Sequence, residues 1–447
     1  MKFEWNEKRC PFHSLFNLVL LITIISIFPI LLFPVYGQEG NVNAGSELLR
    51  TAPTFEDVIA SLSMLADVVG EGLVGISLGW AAKPTGIGFI VGLIVLIAFR
   101  SVAPVSFEVE SLTIVSRIAK RNLPIMIYIV IIAGIVGAIM GALGVYGTIV
   151  EFIGPAIQFG MMSGVGIILA IVAIDLIKEN RVIGIVSAAT AFIVFFATIE
   201  DPSALIYSLA ASVAISVAVA RFVRFEPILP DPAREKISMI VPVRQLGFLF
   251  RKYQTYEDSP SGGQKVRVIK SLTRANWILI TRGTLALLAL RAGTSITYPA
   301  IDADLAGIEP VTGSGINIFD ATNIMAGLSG LASAFFGGAP VEPIITGTAA
   351  APNPVFSAAL MMGIAAIILL AGLIGRAARY IPVQAVTGFL LVLGALIIFP
   401  ENAPAAMEED PTIGGVTTVV TAATMDPFIG MVAGLIVKGL ITILGIS

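Results

Sequence analysis

The stretch FFGGAPVEPIITGTAAAP, residues 335–352, contains one carboxylate, Glu342, and three prolines within a run that is otherwise apolar. Proline removes a backbone N–H and disrupts the interior of a helix. A second stretch, APVSFEVES at 103–111, begins with the same Ala-Pro-Val that occupies 339–341. The sequence therefore predicts a break in the backbone at two places inside apolar segments.

The composition indicates a protein of the lipid bilayer. Of the 447 residues, 56% are hydrophobic and 13% are charged, and the mean hydropathy is +0.94. Soluble domains carry about 25% charged residues. Apolar runs such as 123–146 and 153–174 have the roughly 20 residues that a spanning helix needs, and they lack the alternation of barrel strands. The sequence predicts an all-α polytopic membrane protein, with lipid as a partner.

The apolar segments form two sets of seven. The stretch between them, 222–275, is polar and contains Pro, Gly and Ser, which predicts a linker with no separate domain of its own. The predicted organisation is a first repeat at 57–221, the linker, and a second repeat at 276–447. The predicted spans are 57–80, 84–100, 103–116, 123–146, 153–177, 182–199 and 203–221, then 276–300, 318–337, 340–352, 354–377, 382–399, 413–424 and 427–445.

The two sets of spans contain repeated sequence motifs in the same order. Besides the Ala-Pro-Val copies, PAIQFGMMSGVG at 155–166 and PVQAVTGFLLVLG at 382–394 each hold a proline, a Gln and two glycines six residues apart. Because seven spans separate the copies, the second half enters the membrane in the opposite direction, which makes an inverted repeat. Transporters of this type bind their solute near the bilayer midplane, between discontinuous helices of the two halves. The breaks at 103–111 and 339–348 are therefore predicted to form the two sides of a solute-binding site.

The loops between the spans differ in charge. Basic residues gather at 117–121, 178–181 and 376–379, and the stretch 221–275 holds eleven Lys and Arg against five acids. By the positive-inside rule these loops, including 222–275, are predicted to be cytoplasmic. The acidic loops are predicted to lie outside a plasma membrane, and Arg100 is the one basic residue on that side. The acids of these loops are Glu200, Asp201, Asp302, Asp304, Glu309, Asp320, Glu401, Glu408, Glu409 and Asp410.

The first 37 residues have the layout of a targeting segment. Lys2, Lys8 and Arg9 precede an apolar run that ends near the small residues Val35 and Gly37. This layout is typical of a secretory signal peptide. The run is also long enough to span, so an uncleaved N-terminal anchor stays open.

Several chemistries are excluded by composition. Cys10 and His13 are the only Cys and His, so metal sites of those residues, thiol nucleophiles and imidazole relays are not expected. No phosphate-binding loop is present. We expect no enzymatic activity, no cofactor and no nucleic-acid partner. Energy coupling is expected to come from an H+ or Na+ gradient, handled by carboxylates.

The stretch from 276 to 400 resembles the xanthine/uracil/ascorbate permeases, also called nucleobase-ascorbate transporters. FDATNIMAGLSGLASAFFGGAPVEP and IPVQAVTGFLLVLGALIIF carry the resemblance, and GPAIQFGMMSGVGIILAIVAIDL at 154–176 adds to it more loosely. The resemblance implies about fourteen transmembrane helices in a 7+7 inverted repeat with two broken helices, a core domain that holds the solute, and a gate domain against which the core moves. It also implies proton or sodium symport of a nucleobase-like solute.

The acids that this family uses are displaced here. Aligned to the eighth-span motif, ALRAGT at 289–294 puts Leu290 at the acid's position, followed by Arg291 and Thr294. In the tenth span the acid's position falls on Thr346, and Glu342 comes four residues earlier. The solute and the coupling ion can therefore differ from those of the family.

Charged residues at bilayer depth are functional candidates because their insertion costs several kcal/mol. Arg291 has two interpretations: an ion pair with Glu108 or Glu342, or a clamp for an anionic solute such as urate, xanthine or an organic acid. Glu108 and Glu110 share one face if their segment is extended, as site residues or as caps. Glu342 either caps a half-helix that begins near Pro343 or contacts the solute.

Asp67 and Glu71 lie four residues apart and so share one helical face. They are predicted to be proton or sodium carriers, with a solvated interfacial position as the alternative. The predicted ion-coupling residues are thus Asp67 and Glu71. The predicted solute-binding residues are Phe107, Glu108, Glu110, Arg291, Thr294, Glu342, Thr346 and Thr348.

The sequence thus predicts a secondary active transporter, an ion-coupled permease that moves a nucleobase-like or small anionic solute by alternating access. A sulfate- or carboxylate-type anion carrier on the same fold stays open, as does a non-transporting membrane protein. A homodimer is also an open alternative.

Overall fold

The computed structural model describes residues 53–144, 146–200, 204–223, 252–258, 265–271 and 273–444; the signal or anchor predicted at 1–37 lies outside them. The first half contains α1 Phe55–Ser77, α2 Ala82–Phe99, β1 Val105–Ser106, α3 Val109–Ile118, α4 Leu123–Ala142, α5 Tyr146–Ile153, α6 Pro155–Glu179, α7 Arg181–Ala197 and α8 Ala204–Ala220. Two strands follow, β2 Lys252–Asp258 and β3 Lys265–Ser271. The second half contains α9 Arg274–Leu305, α10 Ile318–Phe335, β4 Glu342–Pro343, a 3-10 turn Gly347–Ala350, α11 Pro354–Leu370, α12 Leu373–Ala378, a 3-10 turn Val383–Val386, α13 Thr387–Val392, a π-helical segment Leu393–Ile398, α14 Phe399–Glu409, α15 Pro411–Thr424 and α16 Pro427–Leu444.

Local sequence signals set many of these helix starts. Proline occupies one of the first two positions of α4, α6, α11 and α15, where a missing N–H leaves no hydrogen bond unmade. Thr54 and Asp57 form a reciprocal capping box at the start of α1. Asn353 caps α11 by accepting a hydrogen bond from the backbone N–H of Phe356 at 3.3 Å.

The elements confirm the predicted fold class of fourteen segments in a 7+7 arrangement with two breaks. Six helices among the described residues are long and apolar enough to cross a membrane. Apolar side chains on outward faces, such as Ile193, Val419 and Ile436, remain exposed and suit contact with lipid. The third and tenth segments are not continuous helices, as the prolines predicted.

Three features were not predicted. The linker contains an antiparallel hairpin, in which Lys252 pairs with Ser271 and Asp258 with Lys265. The short helix α5 lies between the fourth and fifth segments. The twelfth segment continues through the π-helical stretch into α14, so Glu401 lies on a helix instead of in an acidic loop.

The helices pack in two groups. The first four segments pack with α9, α10 and α11, chiefly through α4 against α10 and α2 against α11. The second group pairs α6 with α14 and α15, and α7 with α8 and α13. We call these the core group and the gate group, in agreement with the predicted division.

The two halves meet at the residues that the sequence repeat pairs. Ser106 and Glu342 have the same separation, 236 residues, as Ala103 and Ala339, which begin the two Ala-Pro-Val copies. In the antiparallel pairing of β1 with β4, Ser106 lies directly opposite Glu342. A local two-fold axis therefore passes through this pair, which we call the core crossing.

A second meeting point lies in the gate group. Gly166 and Gly394 end the two repeated glycine motifs. An added Cβ on Gly394 would lie 2.5 Å from the Gly166 carbonyl oxygen, and one on Gly166 would lie 2.7 Å from that of Gly394. We call this backbone-to-backbone contact the gate crossing.

The loops that share a charge sign lie at one end of the molecule. Arg117 approaches Asp175 at 3.9 Å, and the Gln384 side chain donates to Glu179 at 3.4 Å, so the basic loops after α3, α6 and α12 are neighbours. Arg100 lies at the other end, where its carbonyl accepts from the backbone N–H of Gly313 at 3.1 Å. This arrangement agrees with the predicted separation of basic from acidic loops, in which Arg100 is the one basic residue on the acidic side.

Candidate functional site

A buried ion pair lies beside the core crossing. The Arg291 guanidinium donates through Nε to Glu342 Oε2 at 2.7 Å and through Nη2 to Oε1 at 2.6 Å. Its third group, Nη1, donates to the Ala133 carbonyl at 3.0 Å. Both residues are only 1% exposed. This bidentate geometry is the strongest form of an arginine–carboxylate contact.

The surrounding backbone makes room for the pair. Arg291 lies near the middle of α9, the 32-residue helix that continues the predicted eighth span. An added Cβ on Gly137 of α4 would collide with Arg291 Nη1. Gly137 therefore leaves the space that the guanidinium fills. The structure supports the ion-pair interpretation of Arg291 and selects Glu342 as the partner over Glu108.

The interpretation of Glu342 as a helix cap is wrong. Pro343 belongs to strand β4, no helix begins there, and the segment continues only as the four-residue 3-10 turn. Because Ser106 and Glu342 lie opposite each other, their side chains share a face of the ladder, with Cβ atoms about 5 Å apart.

The first break continues differently, into the ten-residue helix α3. Glu108 is its N-cap residue and accepts a hydrogen bond from the Ser111 hydroxyl. Glu110 lies in the first helical turn, so the predicted extended segment with both acids on one face does not form. Both side chains are nevertheless buried, and Glu108 lies within electrostatic range of Glu110, Glu342 and Arg291.

The predicted ion-coupling acids approach the same helix end. Glu71 on α1 is buried, and its carboxylate lies near the backbone amide of Val109, the first residue of α3. Asp67, one turn earlier, is half-buried and within electrostatic range of Glu71 and Glu110. The structure thus brings Asp67 and Glu71 together with Glu108 and Glu110.

Several buried polar atoms around the crossing lack a hydrogen-bond partner within the described residues. They are Glu71 Oε2, Ser106 Oγ and Glu108 Oε1. The hydroxyls of Tyr146 and Ser295 lie within reach of each other. Tyr146 lies within electrostatic range of Arg291 and Glu342. Buried polar groups are almost always paired, so such a concentration marks a place where water, an ion or a ligand binds.

The other predicted residues lie farther from the pair or have structural partners. Phe107 packs on Phe89 with ring centroids 5.5 Å apart, and the Thr294 hydroxyl approaches the Leu290 carbonyl of its own helix at 3.5 Å. The Thr346 hydroxyl contacts that of Thr348 at 3.0 Å.

The second break is held on α9 at some distance from Arg291. The backbone N–H of Thr346 donates to Asp302 Oδ1 at 2.9 Å. Asp302 lies eleven residues beyond Arg291 on α9, about 16 Å along the helix axis. Thr346, which is bound to Asp302, and Thr348 are therefore not placed beside the Arg291 guanidinium. Asp302 was assigned to an outer acidic loop from the sequence, but it is fully buried within α9.

Tyr146, Ser295, Ser106 and Tyr298 were missed by sequence reasoning. Ser106 carried a signal, because the repeat offset pairs it with Glu342. Tyr146 begins a helix that the apolar pattern did not reveal. Tyr298 lies within electrostatic range of Glu71, Glu108 and Glu110.

The site combines one guanidinium with an excess of carboxylates. No group of three or more His, Cys, Asp or Glu in the described part of the chain could hold a metal ion. Uncompensated buried ions cost on the order of several kcal/mol each. The site therefore places carboxylates without a counter-ion beside a guanidinium that is already paired.

The fold is that of a polytopic membrane transporter. The transmembrane domain of a cyanobacterium bicarbonate transporter, BicA, is similar with a TM-score of 0.55 and 15% identity, over 85% of this chain and 96% of that one. The murine anion transporter Slc26a9, in an inward-facing state, is similar with a TM-score of 0.59 and 12% identity, over 94% of this chain and 75% of that one.

No protein-family model and no curated protein matches the sequence. At these identities the solved structures show the fold alone. The fold that the permease resemblance implied is therefore confirmed, whereas membership of the nucleobase-ascorbate transporters stays a prediction.

Proposed function

We propose that the chain is a secondary active transporter that moves a small anion by alternating access, driven by an H+ or Na+ gradient. The observation that carries the proposal is the buried Arg291 guanidinium beside the core crossing, bound bidentately by a carboxylate. A carboxylate or sulfate presents the same pair of oxygens to such a fork. Two proteins of similar fold are themselves described as bicarbonate and anion transporters.

In this mechanism the solute replaces Glu342 on Arg291. An incoming anion leaves the guanidinium paired throughout. The displaced Glu342 carboxylate would lose its partner, at a cost of about 3–5 kcal/mol unless it takes up a proton. The unpartnered hydroxyl of Ser106, together with the neighbouring hydroxyls of Tyr146 and Ser295, would supply further hydrogen bonds to solute oxygens. The core group would then move against the gate group and open the site to the other side.

A planar nucleobase-like solute is the second candidate. It is favoured by the resemblance of residues 276–400 to the nucleobase-ascorbate transporters. A deprotonated imide would also accept from Arg291, and the hydroxyls near it could bind ring carbonyls. We further propose the plasma membrane as the location, a cytoplasmic position for 222–275, and a homodimer as the assembly.

The test is solute counterflow in proteoliposomes of the full chain, with labelled sulfate, bicarbonate, succinate, uracil and xanthine as probes. The diagnostic variant is the double change Arg291→Gln with Glu342→Gln, which removes both charges and leaves no buried ion unpaired. The matched control is Arg282→Gln with Asp426→Asn, because Arg282 lies on the same helix and pairs with Asp426 at 2.6 Å.

We expect counterflow of at least one anion, abolished by the Arg291/Glu342 double variant and retained by the Arg282/Asp426 one. Counterflow of uracil or xanthine alone would establish the second candidate. Undiminished anion counterflow in the Arg291/Glu342 double variant would exclude Arg291 as the binding group.

A further inference from the structure

We propose that the coupling ion is a proton and that the carboxylates of Glu71, Glu108 and Glu110, around the N-terminus of α3, carry it. This inference rests on the proposed function, because it names the ion that drives that transport. The site is separate from the Arg291–Glu342 pair but adjacent to it across the core crossing.

The geometry brings three carboxylates from two elements to one helix end. Glu108 is the N-cap of α3, Glu110 lies in its first turn, and Glu71 reaches the Val109 amide from α1. Glu71 and Glu108 are 7% and 3% exposed. Glu71 Oε2 and Glu108 Oε1 each lack a hydrogen-bond partner within the described residues. Two buried oxygens are thus available for an O–H bond or a cation.

The charges that face this cluster do not neutralise it. Asp67 on α1 lies within electrostatic range of Glu71 and Glu110. Glu342 on β4 and Arg291 on α9 lie within electrostatic range of Glu108. Tyr298 on α9 lies within electrostatic range of all three carboxylates and of Glu401 on α14. Arg291, the cation among these groups, is already bound by Glu342. The cluster is therefore left with negative charge that a proton removes.

The layout favours protons over a metal cation. Sodium needs several oxygens that converge on one point, and the described residues contain no group of three acids whose carboxylates could supply them. A proton needs one oxygen only. It forms an O–H bond on Glu71 or Glu108 from water on one side of the membrane, and that bond breaks to water on the other side.

The same cluster explains how proton and anion movement would be linked. The N-terminus of a half-helix carries partial positive charge and would attract an anion. Here the protein's own carboxylates surround that terminus, so they repel an anion as long as they are ionised. Protonation of the cluster removes this repulsion and lets the solute reach Arg291. The anion then binds together with a proton.

The first experiment detects the proton without any solute. Infrared spectra of the purified full chain are recorded against pH, in sodium and in potassium buffers, to follow the C=O stretch of protonated carboxyls. We expect a titrating band that is the same in both buffers and is reduced in Glu71→Gln, with Glu108→Gln as a second variant. The control Asp175→Asn changes an exposed surface acid, and its band should equal that of the wild type.

A band that sodium suppresses would assign the coupling ion to sodium. A band unchanged in Glu71→Gln, Glu108→Gln and Glu110→Gln would place the proton elsewhere. Either result overturns the inference while leaving transport itself untouched.

The second experiment measures sulfate and succinate counterflow at several pH values. We expect the pH dependence to be lost in Glu71→Gln and kept in Asp175→Asn. A pH dependence in Glu71→Gln and Glu110→Gln equal to that of the wild type would contradict the inference, whereas absence of counterflow in the wild type would contradict the proposed function instead.

Discussion

The two halves of the chain meet at a charged crossing and at a glycine crossing. At the core crossing, Ser106 lies opposite Glu342, and Glu342 holds Arg291. At the gate crossing, the backbones of Gly166 and Gly394 touch with no side chain between them. Both points join residues that the repeat makes equivalent, so the same symmetry produces a polar centre in one group and close helix packing in the other.

The two crossings differ in their energetic cost at bilayer depth. Glycine contacts let helices approach closely and give a stiff frame without polar groups in lipid. The core crossing instead keeps charges that are costly at bilayer depth. Under the proposed function, the core group is therefore the part that binds the solute, and the gate group is the part against which it moves.

The largest expected effect comes from removing one charge of the core crossing. Glu342→Gln leaves Arg291 buried without its carboxylate, and we expect the free energy of unfolding to fall by about 3–5 kcal/mol. Reversible unfolding of the purified protein in detergent, followed by circular dichroism, measures the change.

Two variants isolate the cause of that loss. The double variant Arg291→Gln with Glu342→Gln should recover most of the stability, because no unpaired ion remains. Glu108→Gln keeps a polar partner for Ser111 and removes a charge without a counter-ion, so it should be neutral or stabilising. An equal loss of unfolding free energy in Glu342→Gln and Glu108→Gln would contradict the view that only Glu342 has a counter-ion.

At the gate crossing, stability should depend on added side-chain volume and not on charge. Gly394→Ala would force a methyl group to within 2.5 Å of the Gly166 carbonyl oxygen, and we expect a loss of about 1–3 kcal/mol from overpacking. The matched control is Gly439→Ala on α16, where an added Cβ meets nothing within 4 Å. A neutral Gly394→Ala would show that the two halves are not in backbone contact there.

Much of this fold could be predicted from sequence because hydropathy and proline act locally. Apolar runs set the spans, and Pro340 and Pro343 forced the second break. The hairpin at 252–271 was missed although KVRVIKS alternates after the turn residues SGG, because the stretch is short and lies in a polar loop. The helix from Phe399 to Glu409 was missed because its acids resemble a loop.

The site could be predicted only in part, since it depends on contacts distant in sequence. Insertion cost alone selected Arg291, Glu108 and Glu342 as candidates. Which acid pairs with Arg291 depends on how α9 packs against β4, a tertiary contact that no local pattern encodes. Thr346 and Asp302 bond to each other for the same reason.

A smaller effect is expected where the core group touches the gate group. Arg282 of α9 pairs at 2.6 Å with Asp426, which is buried just before α16 and accepts from the Phe428 N–H at 3.1 Å. Arg282 is 43% exposed, but Asp426 is fully buried and would lose its cation, so we expect Arg282→Gln to cost about 1–2 kcal/mol, less than Glu342→Gln. Counterflow should persist, but the balance between the transport states should shift, which altered accessibility of a single cysteine introduced near Thr424 would report. Unchanged accessibility would show that the pair does not hold the two groups together.

The smallest effect is expected at the membrane surface, where another link between the groups is exposed to solvent. Asp175 of α6 bonds Lys178 at 3.0 Å and approaches Arg117 of α3 at 3.9 Å. Exposed pairs contribute about 0–1 kcal/mol and are screened by salt, so Lys178→Gln should change stability by less than about 0.5 kcal/mol, and by less still at high ionic strength. A loss of several kcal/mol, comparable with that of Glu342→Gln, would contradict the view that charge matters in this molecule chiefly where lipid and protein exclude water.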